Sequence, residues 1–297
     1  MSVTERLANM SIPTVIITVI VLLAARFALL KLKHPAAKSI AEIAESLAVA
    51  MALVFLLIRP FVVQAFFIPS ASMHPTLLEH DHLLVNRFIY RVVREPELGD
   101  VVVFKAPLEA TPGETVPKDF IKRTIGVPGD IVRITPGYVM IGDMKYDHVD
   151  LRGLLSEYSK SDTERPSVLL KGNDVYVDGR RLTRAEIGAA ANDPGAKIKV
   201  VPGKVYINGK AINEPYIAED PDLPYPILAG DKATPQKWIV NYKGKPAVKI
   251  PKGRLLVMGD NRNDSNDARF WGLLDRKRVL GKAMVIFWPL NRIRIIH

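Results

Sequence analysis

Two long hydrophobic runs lie near the start of the chain. The first, residues 12–32, is apolar apart from two threonines, Lys31 near its end and Arg26, whose long side chain can reach a membrane interface. About 20 such residues span the hydrocarbon core of a bilayer. It is too long for the apolar part of a signal peptide, and Lys31 stands where small residues would be needed for cleavage. We expect this run and a second one, residues 43–60, to be membrane helices.

The segment between the two runs is basic. Lys33 and Lys38 lie in it and Lys31 stands just before it, whereas the stretch before residue 12 has one arginine and one glutamate. Short basic loops stay on the cytoplasmic side of a membrane. We therefore expect residues 1–60 to form an anchor with a short cytoplasmic loop, and the rest of the chain to lie on the opposite, trans face.

From residue 82 on, the pattern becomes typical of β-structure. Short runs rich in Val, Ile and aromatic residues, bounded by Gly, Pro or Asp, occur at 82–86, 101–104, 131–134 and 284–288. Asp178-Gly179 and Asn208-Gly209 each stand between alternating apolar positions, which predicts two-residue hairpins with positive φ at both turn residues. A helical period is limited to residues 183–191.

These patterns predict a mainly β fold built on an antiparallel sheet. We expect residues 61–140 and 251–297 to form the β core, which begins with an interfacial apolar stretch at 61–67. Residues 141–250 contain segments rich in charge, proline and glycine. We expect them to form an inserted, peripheral β-subdomain with its loops.

The amino-acid composition limits the kinds of chemistry and the binding partners that are possible for the chain. The chain has 297 residues, a net charge of +10 and no cysteine, which excludes disulfides, thiolate catalysis and cysteine-ligated metals. A basic chain suits nucleic acid or an anionic lipid surface. Because membrane segments are present and no arginine-rich block is interleaved with aromatic residues, we expect anionic membrane lipids as partners and no nucleic acid.

A small, polar segment bounded by prolines follows the apolar stretch. It reads Ile68-Pro69-Ser70-Ala71-Ser72-Met73-His74-Pro75-Thr76-Leu77. A serine hydroxyl is a weak nucleophile that needs a base. Lys122 is a candidate base because apolar residues flank it on both sides, and burial lowers the pKa of a lysine. The alternative is an exposed lysine beside Arg123, whose guanidinium cannot be a base near neutral pH.

Four blocks in one order resemble those of type I signal peptidases, the membrane-bound serine proteases that remove signal peptides from exported proteins. They are residues 70–75, 99–105, 119–130 and 259–272, followed by Gly281-Lys282-Ala283. The resemblance implies that Ser72 is the nucleophile and Lys122 the general base. It also implies that the Ser70 hydroxyl joins the Ser72 backbone N–H as an oxyanion donor. Ser265 would orient the lysine, supported by an ion pair of Asp267 with Arg269.

The chain departs from the family at Asn263-Asp264, where Asp-Asn is more usual, and at Asn266, where a small residue is usual.

The resemblance also implies a substrate and a place. Substrates would be preproteins cut after small residues in Ala-x-Ala sites, docked as an added strand against a catalytic β core. The positions that match the family's apolar pocket are Ile68, Pro69, Leu77, Leu83, Val103 and Ile121. We expect neither metal nor cofactor. The implied location is the bacterial plasma (inner) membrane, as a multi-pass protein with its catalytic domain on the trans face. The sequence predicts no oligomeric state.

Other functions remain open from the residues alone. His74, His80 and His82, with Glu79 and Asp81 among them, could form a Ser-His site or a metal site, although surface histidines are the simpler interpretation. The chain could also be a membrane-anchored β-module that binds peptides or envelope components without cleaving them. A membrane-tethered nucleic-acid binder is a third possibility, which tight retention on an anionic polymer in high salt would reveal.

Overall fold

Two N-terminal helices form a hairpin. The computed structural model describes residues 12–32, 34–58, 63–159, 167–227 and 234–297. Helix α1 spans Ile12–Leu30, and helix α2 spans Pro35–Ala52 and continues as a π-helical segment, Leu53–Ile58. Helix α2 begins earlier than the predicted start near residue 43. His34 caps it by accepting the Ala36 N–H at 3.2 Å, and the following proline suits a first helical position.

Small side chains fill the contact between the two helices. Four alanines on one side of α2 are buried, namely Ala37, Ala41, Ala44 and Ala48. Larger apolar residues of α2, such as Ile43 and Val49, are exposed instead. Stripes of small residues let helices approach closely in membranes. Arg26, expected to reach the interface, pairs with Glu45 of α2 at 2.9 Å, so its charge is neutralised between the helices.

Helix α1 is the one helix in the described part of the chain that is long and apolar enough to cross a membrane. Its residues 13–30 have a mean hydropathy of 2.3. Helix α2 carries Lys38, Glu42 and Glu45, which lower its apolar character. A second crossing therefore stays a prediction. Residues 59–62, where the predicted second run ends and the interfacial stretch begins, lie outside the described residues.

The rest of the chain is mainly antiparallel β-structure, as predicted. The strands are β1 Val63–Phe67, β2 His82–Asn86, β3 Val101–Lys105, β4 Asp119–Gly126, β5 Ile131–Thr135, β6 Tyr138–Ile141, β7 Met144–Tyr146, β8 Val168–Lys171, β9 Asp174–Val177, β10 Arg180–Arg181, β11 Ile198–Val201, β12 Lys204–Ile207, β13 Lys210–Ala211, β14 Ile239–Tyr242, β15 Lys245–Lys249, β16 Arg254–Met258, β17 Leu274–Asp275, β18 Val279–Trp288 and β19 Arg294–Ile295. Three short α-helices accompany them in the described part of the chain: α3 His148–Leu154, α4 Arg184–Ala190 and α5 Ala268–Trp271.

Four sheets hold these strands. The largest has the order β1-β2-β18-β3-β4-β16-β17, with β19 beside β18, and a five-stranded sheet has the order β13-β12-β5-β15-β14. Two three-stranded sheets, β11-β6-β7 and β10-β9-β8, share a separate core with α3 and α4. Strands β12 and β15, although within residues 141–250, pair with β5 and share the core of the large sheet. Strand pairing thus crosses the expected boundary at 140, and the division into core and insertion stays a prediction.

Local turn and cap chemistry matches the sequence. Asp178 and Gly179 have φ values of 47° and 78°, and Asn208 and Gly209 have 53° and 84°, so both predicted hairpin turns are confirmed. The predicted helix near 183–191 is α4. The Thr183 side chain accepts the Glu186 N–H, and the Glu186 carboxylate accepts the Thr183 N–H in return. This capping box satisfies two N-terminal amides that no helical carbonyl can reach.

The large sheet has a free edge beside the candidate chemistry. Strand β3 pairs along its whole length with residues 119–123 of β4, including Val102 opposite Lys122. Its other neighbour, β16, pairs with residues 123–126 and stops there. Residues 119–122 of β4 therefore have one side without a strand partner. The chain that leaves β1 passes this region as an extended segment and a single 3₁₀ turn, Ala71–Met73.

Candidate active site

Ser72 and Lys122 meet although fifty residues separate them. The Lys122 Nζ lies 2.7 Å from the Ser72 Oγ. Ser72 lies in the 3₁₀ turn, which is fixed because Met73 and Leu77 are fully buried in the core behind it. Lys122 lies in β4 and is 4% exposed, whereas Ser72 is half-buried. A buried amine is thus directed at a hydroxyl that a substrate can reach.

The surroundings of Lys122 favour its neutral form. Burial is the main cause that lowers the pKa of Lys122, to about 8, and the positive charge of Arg269 acts in the same direction. Asp267 and Asp260 oppose this effect by stabilising the ammonium. The Phe120 ring lies on the same face of β4, with its centre 5.5 Å from the Nζ. A lysine with a pKa near 8 is partly deprotonated around neutral pH and can accept a proton.

Ser70 supplies a second hydroxyl at the same place. Its Oγ lies 3.4 Å from the Ser72 Oγ, at the outer limit of a hydrogen bond, and the residue is exposed. The backbone at Ser70 is extended, with φ −144° and ψ 156°. Because its contact with Ser72 is long and the residue is exposed, the hydroxyl is available to donate to an atom bound in the cleft.

Ser265 is buried close to the nucleophile without a hydrogen-bond partner. It is 8% exposed, and its Oγ makes no hydrogen bond within the described residues, so the structure shows no bond to Lys122. Gly259 lies against it, since a Cβ there would overlap both the Ser265 Oγ and the Ser72 carbonyl oxygen. A glycine is therefore required where the two loops touch.

Asp267 and Arg269 form a fully buried ion pair. The Arg269 Nε and one terminal nitrogen each donate to the Asp267 carboxylate at 2.9 Å, and the Gly259 N–H donates to the same group at 3.1 Å. Burial opposes ionisation, but the Arg269 charge and these hydrogen bonds outweigh it and hold the pKa of Asp267 below its usual value. The pair fixes the loop that carries Ser265.

The expected pocket residues fall into two groups. Pro69 and Ile121 line a cleft of about 330 Å³ beside Ser72 and Lys122. The other four, Ile68, Leu77, Leu83 and Val103, are at most 2% exposed and belong to the core against which Ile121 packs. They shape the floor behind the cleft. The remaining lining residues are Ser70, Ala71, Lys118, Asp119, Phe120, Asp264 and Asn266.

The histidines near Ser72 have other partners. His74 pairs with Glu79 at 2.6 Å, and His80 and His82 pack against the Phe67 ring. No hydrogen bond joins any of the three to Ser72 in the described part of the chain. The described residues also contain no group of three or more His, Cys, Asp or Glu side chains placed to hold a metal.

Several contacts of the site were not predicted. Arg123 is 1% exposed and binds the Asp260 carboxylate through two nitrogens at 2.8 and 2.7 Å, and Asp260 also accepts from the Thr76 hydroxyl at 2.5 Å. The Asn261 N–H donates to the Ser72 carbonyl at 3.2 Å. Arg123, Asp260 and Asn261 lie within the sequence blocks, so their position was a usable signal.

Comparisons with known proteins find similar sequences in one family. The family described as "Signal peptidase, peptidase S26" matches residues 40–193 and 187–288. A signal peptidase I of Aquifex aeolicus is 33% identical over 250 residues, which cover 83% of this chain and 83% of the relative. A probable signal peptidase I-2 of Synechocystis sp. is 30% identical over 239 residues, which cover 80% of this chain and 69% of the relative. A crystal structure of a signal peptidase I from Enterococcus faecalis V583 covers 64% of this chain and 97% of its own, at 17% identity and a TM-score of 0.24.

Proposed function

We propose that this chain, which belongs to the signal peptidase family (peptidase S26) and is a serine endopeptidase, removes N-terminal signal peptides from exported preproteins with Ser72 as nucleophile and Lys122 as general base. The observation that carries the two roles is the 2.7 Å contact between the Lys122 Nζ and the Ser72 Oγ in a site that buries the amine. Serine–lysine pairs are a known variant of nucleophile and base.

Each proton in this reaction can be assigned to a residue. Neutral Lys122 accepts the Ser72 hydroxyl proton while the Oγ bonds to the scissile carbonyl carbon, which gives a tetrahedral oxyanion. The Ser72 N–H and the Ser70 hydroxyl donate to that oxyanion. Protonated Lys122 then passes its proton to the leaving amine as the C–N bond breaks. In the second half, Lys122 takes a proton from the water that attacks the acyl ester. It then returns this proton to the Ser72 Oγ as the ester bond breaks, which restores the serine hydroxyl and the neutral amine.

The free edge of β4 offers a place for the substrate backbone. Residues 119–122 have one side without a strand partner, and this side borders the cleft that contains Ser72. An extended peptide could pair with this edge and present its carbonyl to Ser72. Pro69 and Ile121 would then contact side chains before the cut, and the closely packed core behind them would leave room for small residues such as Ala. This supports cleavage at Ala-x-Ala sites.

Membrane anchoring and lipid contact complete the proposal. Helix α1 and, with it, α2 would span the plasma (inner) membrane of a bacterium and leave the catalytic domain on the trans face. The outward face of the five-stranded sheet bears Arg133, Lys204, Lys245 and Lys249, and its strands contain no acidic residue. Such a face suits anionic lipids. If so, K245E/K249E should lessen the activity gained on moving from zwitterionic to anionic vesicles, and an unchanged gain would contradict the lipid contact.

The decisive experiment is cleavage of a preprotein with an Ala-x-Ala site by the detergent-solubilised full chain. Ser72→Ala should be inactive and folded, while Ser167→Ala, at an exposed serine of the same chain, should cleave as the wild type does. A folded wild type that binds the preprotein without cutting it would favour the alternative, a non-catalytic peptide-binding β-module. Turnover by Ser72→Ala well above background would exclude the proposed nucleophile.

A further inference from the structure

A segment outside the four sequence blocks lies along the catalytic loop. We call residues 214–222 the strap and residues 259–267 the catalytic loop. At the end of the strap, the Asn263 Nδ2 donates to the Asp220 carbonyl at 3.0 Å, and the Asp222 N–H donates to the Asn263 side-chain oxygen at 3.0 Å. The two segments are thus joined through a loop side chain.

The other end of the strap binds the loop by charge. Both terminal nitrogens of Arg262 donate to the Glu214 carboxylate, one of them at 2.9 Å, and the Arg262 Nε donates to the Gly259 carbonyl at 3.1 Å. The Arg262 side chain is 0% exposed and that of Glu214 is 5% exposed. A buried guanidinium needs a counter-charge, because removal of one partner leaves an uncompensated charge. Glu214 is the carboxylate that provides it.

The strap also reaches the strand that carries the lysine. The Tyr216 hydroxyl donates to the Glu214 carboxylate at 3.1 Å, and the Tyr216 ring centre lies 4.0 Å from the Arg123 guanidinium carbon. Arg123 is the next residue after Lys122 in β4. Glu214 and Tyr216 therefore connect the catalytic loop to β4.

The catalytic loop in turn holds the nucleophile. The Asn261 N–H donates to the Ser72 carbonyl at 3.2 Å, and the Asn261 Nδ2 donates to the Ala71 carbonyl at 3.3 Å. Gly259 packs directly on the same Ser72 carbonyl. A shift of the loop would therefore move the Ser72 backbone, which carries both the nucleophile and an oxyanion donor.

We propose that Glu214 is a positioning residue for the reaction: by neutralising Arg262 it fixes the catalytic loop against Ser72, and through Tyr216 it keeps that loop in register with the strand of Lys122. This inference rests on the proposed function. Glu214 touches neither the nucleophile nor the base, so it would act through the geometry of both. Displacements of about 1 Å by distant substitutions can reduce a rate on the order of 10²-fold.

The test compares Glu214→Gln, which keeps size and loses charge, with the wild type and with Glu157→Gln, at an exposed glutamate after α3. We expect Glu214→Gln to lower kcat on the order of 10²-fold with KM nearly unchanged. The acid limb of the kcat/KM profile should move to higher pH, because water admitted near Lys122 restores the solvation of its ammonium. The charges of Asp267, Asp260 and Arg269 around the lysine are unchanged in this variant. Glu214→Asp, which retains the charge, should recover part of kcat.

Tyr216→Phe is the milder second variant, because it removes one hydroxyl and keeps the ring over Arg123. We expect it to lower kcat by less than Glu214→Gln does, again with KM unchanged. Full wild-type kcat in folded Glu214→Gln would overturn the inference. A loss of activity that is fully explained by the fraction of unfolded protein would also overturn it. In that case kcat per folded molecule and the pH profile would be unchanged, and Glu214 would be merely structural. A folded wild type without activity would overturn the proposed function itself, which is seen before any variant is compared.

Discussion

The Nζ of Lys122 lies 2.7 Å from the Oγ of Ser72, and the lysine is 4% exposed. Geometry and burial act together here: the first brings the amine within reach of the hydroxyl proton, and the second makes the amine able to take it. Changes that separate these effects give the clearest tests of the site.

Lys122→Arg separates charge from basicity. The variant keeps the positive charge and similar length, but a guanidinium does not lose its proton near neutral pH. We expect it to be as inactive as Lys122→Ala. In the wild type the base is the deprotonated lysine, so kcat/KM should rise with pH through about 8, the pKa of Lys122. Initial rates from pH 6 to 10 measure both effects.

The matched control for this substitution is Lys118→Arg, in the same cleft but exposed. It should retain activity and the same pH profile. His74→Ala, His80→Ala and His82→Ala should also remain active. An inactive but folded histidine variant, or an acid limb near pH 6.5, would point instead to a Ser-His site.

The same burial should reduce stability. Lys122 has a pKa of about 8 in the folded chain against 10.5 when unfolded. Below pH 8 both states hold the proton, and the folded state bears the cost of the buried ammonium, which is about 3 kcal/mol at 1.36 kcal/mol for each pKa unit. Between pH 8 and 10.5 the unfolded state binds more protons, so wild-type stability rises with pH. Lys122→Met should therefore unfold at a higher temperature than the wild type at pH 6–7.

Denaturation of both proteins in detergent across pH 6–10.5 measures this difference. The advantage of Lys122→Met should shrink steadily above pH 8. Lys118→Met is the control, because the exposed Lys118 should give no such pH-dependent difference. A constant gap between Lys122→Met and the wild type at all pH values would contradict a lowered pKa of the lysine.

Ser70 is expected to act in the transition state. Loss of one oxyanion donor costs on the order of 10² to 10³ in rate. Ser70→Ala should therefore lower kcat by that amount and change KM little, because the Michaelis complex carries no oxyanion. Ser70→Thr keeps a hydroxyl and should recover part of kcat. Steady-state kinetics decide, and a wild-type rate in Ser70→Ala would place the second donor elsewhere.

The sequence predicted the β fold well because short apolar runs separated by turn residues seldom form any structure other than strands. The predicted run at 131–134 appears as β5, and both Asx-Gly hairpins form. The start of α2 was misjudged. Its first turns carry Lys38, Glu42 and Glu45, which interrupt the apolar pattern but not the helix, since alanines continue the contact with α1. Hydropathy alone does not reveal a helix stabilised by small residues and an ion pair.

The site was predicted in part. Ser72 and Lys122 lie in ordered blocks, and a resemblance identifies such blocks. Apolar character could not tell a pocket wall from the core behind it, so Leu77 and Leu83 were expected in the pocket and are fully buried. Glu214 gave no signal, because its partner Arg262 is 48 residues away and no pattern joins them. Such pairings depend on tertiary packing.

The last prediction concerns topology, and the absence of cysteine makes it testable. If the basic loop stays in the cytoplasm, a cysteine at the exposed Ala36 should be shielded from a membrane-impermeant thiol reagent added to intact cells. A cysteine at the exposed Asp143, in the turn between β6 and β7, should be labelled once the reagent has passed any outer membrane. Both should react after lysis, which controls for accessibility.

The outcome matters because the catalytic site has to lie where the substrate leaves the membrane. A signal peptide leaves the bilayer on the trans face, and Ser72 follows the membrane anchor through the short strand β1. Labelling of Ala36→Cys without labelling of Asp143→Cys in intact cells would put the Ser72–Lys122 pair on the wrong side of the membrane and contradict its role in export.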